Sequence, residues 1–212
     1  MPTCKTPAEI SSRYYLIDGV RYPRVTAILD VLPEAPGLVR WRQRTAPAEQ
    51  RRIAQTTARI GQQAETHIYA QLSGLEPPIV KVKPELTAAL EAWAEYCQLY
   101  GTPKPISIQQ PLWDDTLGYA GTPDFYEPDV VSDLKVTTRL SERHKFQVTA
   151  YAPLIQGKTG IIIRRVRLIR LDPSLGMCEV WESPVEPWRI DVFFHLKQIA
   201  TQLWSHEERE DE

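Results

Sequence analysis

Near residue 106 the sequence changes its period, and that change limits the folds open to it. Before it, apolar residues recur at helical spacing. Leu86, Ala89, Leu90, Trp93, Cys97 and Tyr100 form one stripe between Pro84, a favourable first-turn residue, and the stop at Gly101. Two further helices are expected over roughly 38–46 and 48–72, after a hairpin RYYLIDGVRYP that turns at Asp18-Gly19 and a short helix over AILDVL capped by Thr26. Beyond it come the short β-rich runs ISIQQPLWD, LGYAGTPDFYE and VVSDLKVTT, read as a meander. Next are a helix over about 141–157, kinked near Pro153, strands at IIIRRVRLIRL and MCEVWES, and a last helix over about 187–206. This order implies a mixed α/β fold, a central mixed sheet flanked by helices with the N-terminal helices as a separate layer. One domain over 1–212 is expected, with 14–105 mainly helical, 106–206 holding the sheet and its flanking helices, and 207–212 an acidic, frayed tail.

Composition excludes several classes. No run approaches the ~20 apolar residues of a membrane span, and MPTCKTPAEI lacks the apolar core of a secretory signal. Cys4, Cys97 and Cys178 are far apart, so neither a zinc ribbon nor a cysteine-held iron–sulfur cluster is expected, and a reducing cytoplasm is the plain location. Net charge is −2, yet six arginines (Arg40, Arg42, Arg44, Arg51, Arg52, Arg59) face one acid, Glu49, between Leu38 and Ile60. A local basic patch of this kind can hold a phosphate backbone whatever the total charge.

The residues with chemistry in them cluster around DLK at 133–135. In a strand Asp133 and Lys135 share a face while Leu134 enters the core. Asp124, closing GYAGTPD, is at hairpin distance. Two carboxylates brought together repel unless a cation separates them, and hard Mg²⁺ or Mn²⁺ prefers oxygen ligands. An ammonium beside such an ion is placed to orient an attacking water, or to neutralise charge developing on a phosphate. An isolated Asp-x-Lys is usually a solvated strand face. Here the following helix HKFQVTAYAPLIQG adds Gln147 and Tyr151, four apart on one face, and His67 upstream could supply an imidazole.

The order His67, Asp124, Asp133-Leu134-Lys135 and Gln147-x-x-x-Tyr151 resembles the PD-(D/E)xK nuclease superfamily, and within it the RecB-like exonuclease branch. The phrase YAGTPDFYEPDVVSDLKVTT is similar to the core of those enzymes. YPRVTAIL, followed by a helix with Trp41, is similar to a single-strand exonuclease subgroup of phage and mitochondrial genome-maintenance proteins. The resemblance covers roughly 14–171. It implies a restriction-endonuclease-like sheet and metal-dependent DNA hydrolysis, plausible at single-stranded ends, in phage or bacterial replication, recombination or repair. It implies metal binding by His67, Asp124, Asp133 and the Leu134 carbonyl, water activation by Lys135, and support from Gln147 and Tyr151 to the lysine or the DNA. One Mg²⁺ or Mn²⁺ site is expected and a second is left open. Two departures stand out. The family often has Gly four residues before its histidine, where this chain has Gln63 with Gly61 further off, and many relatives carry Glu where Gln109-Gln110 stands.

Arg40, Trp41, Arg44, Arg51 and Arg52, with Gln147 and Tyr151, are the candidate DNA contacts, by phosphate neutralisation and base stacking. Arg164, Arg165, Arg167 and Arg170 either touch DNA or cover a sheet face. Trp93 and Trp204 read as core, while His144, His195 and His206 have ordinary structural explanations. A structure-specific endonuclease and a catalytically silent DNA-binding accessory protein remain as alternatives, and oligomeric state stays open.

Overall fold

A computed structural model describes residues 9–10, 12–79 and 83–210, so Cys4 and the start of the chain lie outside the described residues. The chain opens with strands β1 (Glu9–Ile10), β2 (Tyr14–Ile17) and β3 (Val20–Pro23). Ile17 pairs with Val20, leaving a two-residue turn in which Asp18 has φ 51° and Gly19 φ 81°. Left-handed backbone at both turn residues matches the strand twist, the expected hairpin signal. Helix α1 (Val25–Ile28) follows with Arg24 at its cap and no side-chain cap bond, so Thr26 is inside the helix and does not start it.

Helices α2 (Pro36–Arg44), α3 (Pro47–Leu72) and α4 (Pro84–Tyr100) each begin on proline, whose missing N–H costs nothing at a first turn. Next come β4 (Ser107–Ile108), β5 (Leu112–Asp114), β6 (Tyr119–Gly121), β7 (Phe125–Tyr126) and β8 (Val130–Val136), then α5 (Glu142–Thr159), β9 (Arg165–Leu171), β10 (Cys178–Pro184) and α6 (Pro187–Glu210). The expected meander is broken. β5 and β6 pair only with each other, and β4 pairs with β7 in the main sheet, whose order is β10-β9-β8-β7-β4. β8 and β9 are parallel, joined across α5, and the other pairings are antiparallel. The result is the mixed sheet that the element order implied.

Alternation along β8 divides the core. Val131 joins Val166 and Leu168 under α5 and α6, while Leu134 joins Ile169 and Leu171 under α3 and α4. Trp93 and Trp204 are core residues, as read from their stripes. Helix α1 belongs with the C-terminal layer: the Arg143 guanidinium of α5 donates to the Thr26 and Leu29 carbonyls and pairs with Asp30. Helix α6 continues past the expected tail, and Glu207 pairs with Arg13.

Helix α5 runs unbroken through Pro153. Its start is a capping box in which Ser141 Oγ accepts from the His144 amide and His144 Nδ1 accepts from the Ser141 amide. Burial, with Lys135 and Arg143 nearby, lowers the His144 pKa to about 4, so the ring is neutral and free to accept. That is the structural role of this histidine.

Candidate functional site

β7 is only two residues long, and the reason lies in one side chain. Its register with β8 pairs Phe125 with Ser132, and Glu127 N donates to Val130 O. Continued by two residues, that ladder would face Leu134 with residue 123, which is proline and has no N–H to give. The Leu134 carbonyl is thereby left without a ladder donor on that edge. Its amide is taken instead by the Asp124 side chain, whose Oδ2 accepts from Leu134 N at 2.6 Å. Proline thus ends the strand, frees a carbonyl and turns the following aspartate into the cap.

Around that break the side chains converge. Asp124 Oδ1 accepts from Gln109 Nε2 at 2.7 Å, and the same amide donates to the Tyr69 hydroxyl at 3.0 Å. Gln109 reaches both from a left-handed backbone, φ 50°, a conformation that costs a non-glycine residue about 1–2 kcal/mol. Asp133, 1% exposed, accepts through Oδ1 from Gln147 Nε2 at 3.2 Å, and Gln147 also donates to Tyr151 Oη at 3.0 Å. The other oxygen, Oδ2, is ion-paired with Lys135 Nζ at 2.5 Å and has no further polar partner among the described residues. Gly121 makes room for this chain of contacts, since a Cβ there would sit 2.7 Å from Cε1 of Tyr151.

Of the residues expected from the sequence, Asp124, Asp133, Lys135, Gln147 and Tyr151 are brought together. Gln147 supports Asp133, whereas the resemblance implied support for the lysine or the DNA. His67 is not brought in: Nδ1 bonds to Gln63 O of its own helix at 3.0 Å, and among the described residues no three His, Cys, Asp or Glu side chains stand at common ligand distance. The residues of α3 that face the site are Glu65 and Tyr69, one turn apart. His67 is two positions from Glu65, roughly 200° around a helix at about 100° per residue, which points it elsewhere. Sequence reasoning missed Glu65, yet a signal was present: Gly61 is four residues before Glu65, the spacing that failed for His67. A Cβ added at Gly61 would stand 4.0 Å from Val136 Cβ, where α3 crosses β8.

The charges are unbalanced. Burial pushes Asp133 up to about 7, with Lys135 opposing and Asp124 adding to the rise. Burial also raises Glu65 to about 7, reinforced by Asp124. Asp124 is raised by burial against the pull of Lys135 and of its hydrogen bonds. For Lys135, burial alone would favour the neutral amine, but Asp133, Asp124 and Glu65 together outweigh it and keep the ammonium charged. Three carboxylates thus share one ammonium in a poorly solvated place.

That donor set suits a divalent cation. Two aspartates and a backbone carbonyl without a ladder donor are hard oxygen ligands, and Mg²⁺ commonly takes only one or two carboxylates and keeps several waters. Glu65 stands back from the two aspartates, so it adds negative potential without completing a ready-made cage.

The arginines divide into two groups. Arg165 pairs with Asp129 and Glu182, Arg167 with Glu182 and Glu127, and Arg170 with Glu179 and Asp172. Those on β9 are therefore committed to the sheet. Arg164, just before the strand, is exposed. Helix α2 buries no residue and α3 buries none before Ile60, so about 20 Å of α3 precedes its first buried residue. Arg40, Arg44 and Arg51 there are exposed with no acid partner among the described residues, while Arg42 pairs with Glu34 and Arg52 with Glu49. Trp41 is half-buried.

No protein-family model matches the chain, and no curated protein matches it. Solved structures do. An alkaline exonuclease from Laribacter hongkongensis aligns over 89% of this chain and 94% of its own, at 12% identity and TM-score 0.40. The same enzyme in complex with dAMP aligns over 89% and 92%, at 13% identity and TM-score 0.44. A phage-related exonuclease from Haemophilus somnus aligns over 90% and 96%, at 9% identity and TM-score 0.42. At these scores the likenesses are of outline only, and the function of this chain rests on its own residues. No helix among the described residues is long and apolar enough to cross a membrane.

Proposed function

We propose that the chain is a metal-dependent deoxyribonuclease of the PD-(D/E)xK type, an exonuclease working on single-stranded DNA ends. One observation carries this reading: Asp124, Asp133 and a charged Lys135 meet beside a carbonyl that Pro123 leaves without a ladder donor. Asp124, Asp133 and the Leu134 carbonyl would hold Mg²⁺ or Mn²⁺, and Glu65, in place of His67, would be the α3 side chain that adds negative potential beside them. When bound, the ion supplies Lewis acidity towards the phosphate and makes water a stronger nucleophile at neutral pH.

The chain's own groups do the rest. Lys135 presents an ammonium where negative charge grows on the phosphoryl oxygens, in a setting of low dielectric that strengthens the interaction. Gln147, held by Tyr151, fixes the Asp133 carboxylate, and Gln109, held by Tyr69, fixes Asp124. No side chain needs to become covalently attached to the substrate. Arg40, Arg44, Arg51 and Trp41 on α2 and the first turns of α3 would grip the strand by phosphate neutralisation and stacking.

The test is purified protein with end-labelled linear and circular single-stranded DNA, in Mg²⁺, Mn²⁺ or EDTA. Degradation of the linear strand alone, dependent on metal and reduced at least ~10²-fold in Lys135→Ala and Asp124→Ala, is the expected outcome. Cleavage of the circle would make the protein an endonuclease. DNA binding without cleavage would make it an accessory protein, and undiminished cleavage in both variants would refute the site.

A further inference from the structure

The chain reaches Asp124 from a layer outside the main sheet. β6 ends at Gly121 and pairs with β5, and the N-terminal strands join it through a parallel bridge between Arg24 and Ala120. From those strands Tyr15, 5% exposed, extends to Thr122, and the two hydroxyl oxygens are hydrogen-bonded at 2.7 Å. Little freedom is left to the tyrosine ring. It packs in a small core with Ile17, Tyr22 and Ala120, and the Arg24 guanidinium lies over it, 5.5 Å from the centroid.

The covalent path from Thr122 to Asp124 is short and stiff. Threonine is β-branched, so holding its hydroxyl holds its χ1 and the backbone behind it. As the residue before a proline it is confined to extended backbone, and Pro123 has φ locked at about −65°. The ψ of Pro123 and the φ of Asp124 are the soft backbone torsions that remain. Downstream, Gln109 N donates to Asp124 O at 2.8 Å. Direction matters for this carboxylate, because Oδ2 already accepts from the Leu134 amide and Oδ1 from Gln109. A cation must be met by the lone pairs left over.

Resting on the nuclease reading above, we propose that Tyr15 is a positioning residue of the reaction: through Thr122 and Pro123 it sets the direction of the Asp124 carboxylate, and with it the metal site. It acts without touching the ion or the DNA. The first hairpin of the chain thereby supports the chemistry as well as covering the core.

The experiment compares Tyr15→Phe, Thr122→Val and the double variant with wild-type protein. Each single change removes one hydroxyl and keeps the shape of the side chain. Mn²⁺ affinity by calorimetry is expected to fall about tenfold in each, the low end for groups that orient metal ligands. The kcat on linear single-stranded DNA should fall by a similar factor with KM unchanged, and DNA affinity in EDTA should stay at the wild-type level. The double variant should lose no more than either single one, since both remove the same bond. Thr122→Ser, which keeps a hydroxyl, should recover most of the Mn²⁺ affinity that Thr122→Val loses. Unchanged Mn²⁺ affinity and kcat in Tyr15→Phe, additive losses in the double variant, or an equal loss of DNA affinity in EDTA would overturn the role of Tyr15 and leave the nuclease reading standing. Wild-type protein that binds Mn²⁺ but cleaves no DNA, with Mn²⁺ binding weakened in both variants, would overturn the nuclease reading and keep Tyr15 as support for the metal site. Wild-type protein that does not bind Mn²⁺ would remove both.

Discussion

Raising the pH of the metal-free protein should destabilise it, in the range where many proteins reach their maximum stability. Asp133 and Glu65 each have a folded pKa of about 7, against ordinary values of 3.8 and 4.5. His144 works the other way, at about 4 against 6.5. Between roughly pH 4.5 and 6.5 the unfolded chain has ionised both acids and protonated the histidine. The folded chain keeps both acids protonated and the histidine neutral. These three groups alone take up two protons on folding and give back one, so stability falls by about 1.4 kcal/mol per pH unit, and the raised Asp124 acts in the same direction. From 6.5 to 7 the histidine no longer compensates and the fall steepens. Discounting the half-buried Glu65 and His144 for solvent screening, the loss from pH 5 to 7 is of the order of 2–3 kcal/mol. For a chain of this size that lowers Tm by roughly 4–12 °C. Thermal unfolding followed by circular dichroism in EDTA at pH 5, 6, 7 and 8 measures it. Adding Mn²⁺ should restore the loss at pH 8 and do little at pH 5, because protons compete with the ion. Asp133→Asn should flatten the profile. A Tm that is constant or rises from pH 5 to 7 in EDTA would refute the claim that excess buried negative charge defines this site.

Two further outcomes follow from separate parts of the structure. Replacing Arg40 and Arg44 by Gln should lower the slope of log affinity against log salt by about 0.7 for each phosphate no longer neutralised, measured by anisotropy with single-stranded DNA; an unchanged slope would show that α2 does not touch the backbone. Gly121→Ala drives a Cβ against the buried rings and methyls of Tyr151 and Val25, so unfolding experiments should show a loss of about 1–3 kcal/mol together with weaker Mn²⁺ binding in calorimetry.

The fold was largely legible because its signals are local. Periodicity located α3 to α6, and the Asp-Gly turn located the first hairpin. The meander failed because pairing is not local: only the register reveals that β4 skips the β5–β6 hairpin to reach β7. The same limit hid the fate of the β9 arginines. Arg170 faces Glu179 and Arg167 faces Glu182 across an antiparallel pair, which spacing along one strand does not disclose. In the candidate site, Asp133 and Lys135 were visible from strand alternation, and Gln147 with Tyr151 from helical spacing. Glu65 was not, because both it and His67 are polar residues on one helix, and only the packing of α3 against β8 decides which faces inward. Nor was the role of Pro123, since a missing N–H matters only once its opposite number is known.

Helix α3 is held unequally along its length: its C-terminal half is sealed into the core through Ile60, Ala64 and Ile68, and its N-terminal half buries no residue. Amide exchange along this single helix should accordingly span a gradient, from near-global protection at Ile68 to rapid opening before Ile53. Residues that anchor the chemistry and residues that meet a ligand then have separate stabilities within one element. Drift in the outer turns can retune grip, reach or salt tolerance while the inner turns keep their geometry.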